Sequence, residues 1–148
     1  MNQKDLTVFN LGENLDNLMN LDPRGYGVCR ILYNASREYT KKPLTINSAE
    51  KLVDTLKEGD LVYIMTGFVL RPFKKAEMDG IVSTMLLARA LVKGFNVKPV
   101  IVCPEDNMKA VENLAYVVGL HFHDSIEGLS EYPLSLAAIP FTKEAKEA

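Results

Sequence analysis

From Asp60 onward, short apolar runs alternate with amphipathic helical stripes, and this alternation constrains the fold more than any other feature of the chain. Leu61–Met65 is continuously apolar, as is typical of a strand buried on both faces of a sheet. Apolar residues at helical spacing follow each of the first two apolar runs. The predicted elements, in chain order, are a strand at Leu61–Met65, a helix over residues 79–93 closed by Gly94, a strand over 97–103, a helix closed by Gly119, and short strands over 120–123 and 136–141.

Strand-helix-strand order with short connections favours right-handed crossovers and hence a parallel sheet. We therefore predict a three-layer α/β fold with a mainly parallel, open, Rossmann-like sheet. Residues 1–59 show helical spacing but no clear strand, so they are predicted to form a helical N-terminal extension. Its third helix is predicted to start after an N-cap at Ser48 and to end at Gly59. The whole chain, residues 1–148, is read as a single α/β domain with its βαβ core in residues 60–148.

The composition narrows the classes of function. The chain has a net charge of −2 and a pI of about 5.7, so it lacks a basic footprint for nucleic acid. It has no apolar stretch of the roughly 20 residues that a membrane span needs, and no signal-peptide segment. The cysteines lack CxxC spacing, and the loop after the first strand reads TGFVLRPF rather than GxGxxG. We predict a cytoplasmic protein with no cofactor, no metal, and no nucleic-acid or membrane partner.

The junction between the first strand and its helix is the predicted binding site. Open parallel sheets bind ligands outside the carboxyl ends of their strands, where helix N-termini present free amides and partial positive charge. The strand ends at Thr66-Gly67 and the helix starts at Asp79-Gly80, and each glycine permits close backbone approach. We predict that the amides of Gly67, Gly80 and Ile81, with the Thr66 hydroxyl, bind a small anionic ligand.

Some candidate residues of this site also have purely structural interpretations. Asp79 suits the N-cap of a helix, and capping and ligand binding share the same geometry. Glu77 lies in a loop where a solvated charge is at least as plausible as a catalytic base. Arg24 can reach an anion from its turn, although turns often carry exposed arginines. The sequence leaves both interpretations open for each residue.

Three other residues are of types that can bind metals or act as nucleophiles, but the sequence does not place them in a convincing site. His121 and His123 alternate along a short strand and so share one face, but no third metal ligand accompanies them. Cys103 ends the second strand with no histidine predictably beside it. It is therefore interpreted as a buried apolar thiol.

The residues of the strand-helix junction also carry a resemblance. Thr66-Gly67-Phe68 is followed by a loop, an acidic residue, Asp-Gly and a helix that contains Leu-Ala-Arg-Ala-Leu at residues 87–91. This order resembles the D-glutamate cyclase-like C-terminal domain family, whose pattern runs Thr-Gly-Phe, Glu-Thr-Asp-Gly and Leu-Ala-Arg-Ala-Leu. Met78 stands where the family more often has threonine. Residues 21–25 look like the family's Asp-Pro and Arg-Gly lead-in with compressed spacing.

The resemblance implies a role in converting D-glutamate to 5-oxo-D-proline with loss of water, as a hydro-lyase. For that reaction Glu77 or Asp79 is the candidate base or ammonium holder, and Thr66, Phe68 and Arg24 are candidate ligand contacts. The rival interpretations are a non-catalytic domain that binds a small anion or amino acid in a regulatory role, and a purely structural fragment.

The resemblance also implies that the family domain continues beyond Phe141. A helix predicted to begin at Thr142 has few residues left to complete it, so we expect the chain to be truncated at its C-terminus. A homodimer is expected to form if an edge of the parallel sheet is exposed.

Overall fold

The computed structural model describes residues 2–70 and 75–141 of the chain. The chain divides into two compact units, Met1–Thr55 and Leu56–Ala148. The helix predicted from Thr142 lies outside the described residues. No helix in the described ranges is both long and apolar enough to cross a membrane.

The first unit consists of three helices: α1 (Gln3–Met19), α2 (Val28–Thr40) and α3 (Leu44–Thr55). Asn2 and Asp5 form a capping box at the start of α1, because each side chain accepts a hydrogen bond from the other's backbone amide. The predicted N-cap of α3 at Ser48 is wrong, since α3 begins at Leu44 and Ser48 lies inside it. The start of α3 is instead set by a side chain that lies far away in the sequence.

Asp16 of α1 supplies the missing cap for α3. Its side chain is buried and accepts hydrogen bonds from the amides of Leu44 (2.6 Å) and Thr45 (3.0 Å). The hydroxyls of Thr45 (2.7 Å) and Tyr33 (3.0 Å) donate to the same carboxylate. Burial acts to raise the pKa of Asp16, but these hydrogen bonds outweigh it and hold the pKa below its ordinary value. One carboxylate therefore ties all three helices together.

The second unit is an α/β fold around a four-stranded sheet in which every pairing is parallel. The strand order is β1-β4-β6-β5, and a separate antiparallel hairpin pairs β2 with β3. This hairpin was not predicted. The elements are β1 (Leu61–Met65), β2 (Val69–Leu70), β3 (Lys75–Ala76), α4 (Met78–Phe95), β4 (Lys98–Pro104), α5 (Glu105–Val117), β5 (His121–His123), a 3₁₀ helix (Glu127–Ser130) and β6 (Ser135–Phe141).

Helices cover both faces of the sheet, as predicted for a three-layer fold. On one face, apolar side chains of α4 and α5 such as Ile81 and Val111 pack on Ile101 of β4. On the other face, Leu129 of the 3₁₀ helix packs on Val100 and its neighbour in β6. These contacts confirm the predicted mainly parallel α/β architecture, with the helices of the first unit as an N-terminal addition.

Strand β1 departs from the prediction of burial on both faces. In the described residues it pairs only with β4, so it lies at an edge of the sheet. Its alternate side chains Leu61, Tyr63 and Met65 are exposed by 45%, 56% and 78%. An apolar run predicts a strand, but it does not fix the place of that strand in the sheet.

The two ends of α4 also differ from the prediction. The helix begins at Met78 and ends at Phe95, and Asn96 in a left-handed conformation (φ 53°) provides the C-cap in place of Gly94. Inside the helix, Arg89 donates a hydrogen bond to the carbonyl of Val118, which is the C-cap residue of α5. A cation at a helix C-terminus complements the helix dipole, so Arg89 joins the two helices.

Candidate functional site

The ends of β1 and α4 meet at the carboxyl edge of the sheet. The Thr66 amide donates to the Val102 carbonyl at 3.0 Å, which extends the β1–β4 ladder by one residue. A Cβ placed on Gly80 would lie 3.3 Å from the Thr66 hydroxyl oxygen. The hydroxyl therefore faces the first turn of α4, and Gly80 leaves room for it.

Gly67 is held tightly against the start of α5. Its φ of 119° is one that residues with a side chain rarely adopt. A Cβ there would overlap the Pro104 ring and lie 2.6 Å from Nδ2 of Asn107. Contacts thus run from Gly80 through Thr66 and Gly67 to Asn107, and they join the carboxyl ends of β1 and β4.

The two candidate catalytic carboxylates lie at the start of α4, and both are exposed. Glu77 occupies the N-cap position in an extended conformation, and its side chain makes no capping hydrogen bond. Asp79 lies in the first turn rather than at the N-cap, and its Oδ1 accepts from the Gly80 amide at 2.7 Å. Asp79 is therefore anchored to the helix start, whereas the Glu77 side chain is not held there by a capping hydrogen bond.

One of the predicted donors at this helix start already has a hydrogen-bond partner. Amides of a helix's first turn lack intrahelical partners, but the Gly80 amide already donates to Asp79. The amides of Met78 and Asp79 have no partner within the described part of the chain. The side chain of Ile81 belongs to the buried core, while Phe68 is 69% exposed. The amides of Met78 and Asp79 and the Thr66 hydroxyl are therefore among the donors that a ligand can use here.

Asn107 is a residue of this region that the sequence reasoning missed. It lies in the first turn of α5 and is completely buried. Within the described residues, neither Oδ1 nor Nδ2 of its carboxamide has a hydrogen-bond partner. Buried side-chain amides are nearly always bonded, so this one requires an explanation. The only available sequence signal is its position just after a strand that ends at Pro104.

A comparison with protein families bears on these residues. A family model described as D-glutamate cyclase-like, C-terminal, matches residues 15–147. The chain belongs to this D-glutamate cyclase-like C-terminal family. No curated protein and no solved structure matches the chain. In this family member the matched region contains the β1–α4 junction and the start of α5.

Arg24 of this D-glutamate cyclase-like chain lies in the first unit, in the turn between α1 and α2. Asp22 organises that turn, because its carboxylate accepts from the Gly27 amide at 2.5 Å and its carbonyl accepts from the Gly25 amide at 3.0 Å. The Arg24 side chain is exposed. Beside this turn, Arg30 and Tyr33 help line a cavity of about 330 Å³ that does not include Arg24.

Cys103 and the two histidines pack against neighbouring side chains of the fold. Cys103 is buried against Met108, with Sγ 3.6 Å from Sδ, and burial raises the pKa of its thiol. This confirms the interpretation of a buried apolar thiol. The rings of His121 and His123 both lie against Tyr132, with centroids 5.4 and 6.0 Å away. Across residues 2–70 and 75–141, no group of three metal-ligating side chains is assembled.

Proposed function

We propose that the chain acts in the conversion of D-glutamate to 5-oxo-D-proline with loss of water. Membership of the D-glutamate cyclase-like C-terminal family carries this proposal. The arrangement at the β1–α4 junction supports it, because two carboxylates and several backbone donors lie at the carboxyl edge of a parallel sheet. The proposed catalytic residues are Glu77 and Asp79.

The charges of the junction favour an amino acid over a simple anion. Free amides at the start of α4 and the helix dipole attract a carboxylate. Glu77 and Asp79 at the same place repel a bare anion such as phosphate, but they attract an ammonium group. A ligand with both groups satisfies both sets of contacts. We propose that the Thr66 hydroxyl and the nearby amides bind a carboxylate while an acidic side chain faces the amine.

The reaction joins two parts of one substrate. The amine nitrogen attacks the side-chain carboxyl carbon, a C–N bond forms, a C–O bond breaks, and the oxygen leaves as water with two protons from the ammonium. Glu77 or Asp79 takes a proton from the ammonium and returns it to the leaving oxygen. Backbone amides stabilise the negative charge that develops on the carboxyl oxygen.

Incubation of the chain with D-glutamate, with detection of 5-oxoproline, tests this proposal. Neutralising the base, by Glu77→Gln or Asp79→Asn, is expected to lower kcat about 100-fold, since general-base catalysis contributes at least that much. Neutralising the ammonium holder should instead mainly raise KM. Measuring both constants for both variants assigns the roles.

Glu112→Gln is a matched control for these variants. Glu112 is an acidic residue of α5 that pairs with Lys109 on the surface, so its removal should leave both constants unchanged. Absence of 5-oxoproline from the wild-type chain would contradict catalysis by this chain. Equal turnover by wild type, Glu77→Gln and Asp79→Asn would refute the assigned residues.

A non-catalytic role in binding a small anion or amino acid is the second candidate. It is favoured by one observation: Asp79 already accepts a hydrogen bond from its neighbour's amide, which occupies one of its oxygens. Binding of D-glutamate without turnover would support this candidate. The cytoplasmic location and a homodimer remain predictions from the sequence, as does a ligand contact for Arg24.

A further inference from the structure

The buried carboxamide of Asn107 points to a specific group on the ligand. Leaving a buried polar group without a partner costs free energy that an apolar side chain of the same shape would not cost. Asn107 has two such groups, Oδ1 and Nδ2, and both are unpartnered within the described part of the chain. Neither atom touches solvent.

The position of Asn107 ties it to the candidate site. Its Nδ2 is directed at Gly67, the residue that follows Thr66 at the end of β1. A ligand can contact the carboxamide only if the main chain at Gly67, which has no side chain, moves away from it. The carboxamide therefore lies next to the end of β1, beside the candidate site.

We propose that Asn107 pairs with the cis amide of a lactam, an inference that rests on the proposed function. A primary carboxamide presents one N–H and one carbonyl oxygen side by side. A lactam ring presents the complementary N–H and carbonyl oxygen on one edge, so two parallel hydrogen bonds form. Nδ2 of Asn107 donates to the lactam oxygen, and Oδ1 accepts from the lactam N–H.

The same pairing aligns the reactants. Before cyclisation, Oδ1 accepts from the amine and Nδ2 donates to the side-chain carboxyl oxygen, which holds the nitrogen close to the carbon it attacks. Asn107 gains and loses no proton in this step. It is uncharged, so it can remain buried without the cost of burying an ion. Asn107 is thus a specificity residue for a lactam.

The test compares two ligands that differ by one methyl group. 5-Oxo-D-proline has the lactam N–H, whereas its N-methyl derivative lacks it. We expect wild type to bind 5-oxo-D-proline about tenfold or more tightly than the N-methyl derivative, because the methyl group removes one hydrogen bond and leaves the buried Oδ1 without a donor. Asn107→Leu should lose this preference and fold at an unchanged or higher melting temperature. Asn113→Leu, at an exposed position of the same helix, is the control.

Equal binding of the two lactams by wild type would overturn the inference, and this arm does not depend on any variant folding. A preference retained by Asn107→Leu would also overturn it. A chain that prefers the N–H lactam but forms no 5-oxoproline from D-glutamate would refute the proposed function and keep the inference. A chain that forms 5-oxoproline but binds both lactams equally would refute the inference about Asn107 and keep the proposed function.

Discussion

Replacing Gly67 with alanine is expected to lower the free energy of unfolding of the α/β unit by about 3 kcal/mol, from backbone strain and overpacking together. The φ of 119° is strained for any residue with a side chain. The added Cβ also overlaps Pro104 and crowds Nδ2 of Asn107. Since both neighbours are parts of the packed end of β4 and start of α5, they have little freedom to move. Urea denaturation, with hydrogen exchange of β4 amides to locate the effect, measures this loss.

Gly94→Ala is the matched control for Gly67→Ala. Gly94 lies within α4, and a Cβ added to it meets nothing within 4 Å. Alanine there should raise the free energy of unfolding by up to about 1 kcal/mol through helix propensity. If Gly67→Ala were as stable as wild type, the residue after β1 would not be packed closely against the start of α5.

Replacing Asp16 with alanine is expected to destabilise the helical unit by about 3 kcal/mol or more, because buried donors lose their acceptor. The amides of Leu44 and Thr45 and the hydroxyl of Tyr33 would each be left without this carboxylate. Loss of helical circular dichroism in urea measures the effect. Asp54→Ala, at an exposed position of α3, should change stability by less than about 0.5 kcal/mol.

The stabilisation by Asp16 should also depend on pH. Because hydrogen bonds hold its pKa below the ordinary value of 3.8, its contribution is complete above pH 3.8 and is lost as the pH falls through the lower, folded value. The difference in stability between wild type and Asp16→Asn should therefore be constant near neutral pH and shrink in acid. If the difference in stability between wild type and Asp16→Asn stayed constant as the pH fell well below 3.8, Asp16 would not have a lowered pKa.

Local sequence patterns predicted the elements of the sheet well. The apolar run at Leu61–Met65 and the longer one that became β4 are strands, and the helical stripe that follows each of them is a helix. These elements depend on side chains close together in sequence. The parallel arrangement followed from their order along the chain.

What the sequence did not predict depends on contacts between distant residues. The start of α3 is set by Asp16, which lies 28 positions before Leu44, so no local cap signal marks it. The exposure of Tyr63 and Met65 follows from the edge position of β1, which strand order determines. The β2–β3 hairpin lies in a loop whose sequence has little alternation of apolar and polar residues.

The candidate site was predictable only in part for the same reason. The residues of the β1–α4 junction are close in sequence, and the rule for parallel sheets places them at one edge. Asn107 reaches that edge only because β4 lies next to β1 in the sheet. Its residue type gave no signal, since an asparagine at a helix start usually has a structural role.

An amide-resolved nuclear magnetic resonance titration of the isotope-labelled chain with D-glutamate tests the central claim most directly. The claim is that an amino acid binds where β1 ends and α4 begins. We expect the largest shifts at the amides of Gly67, Met78 and Asp79, which lie at or beside this junction. Shifts confined to residues 1–55, or no shifts at saturating D-glutamate, would contradict the account.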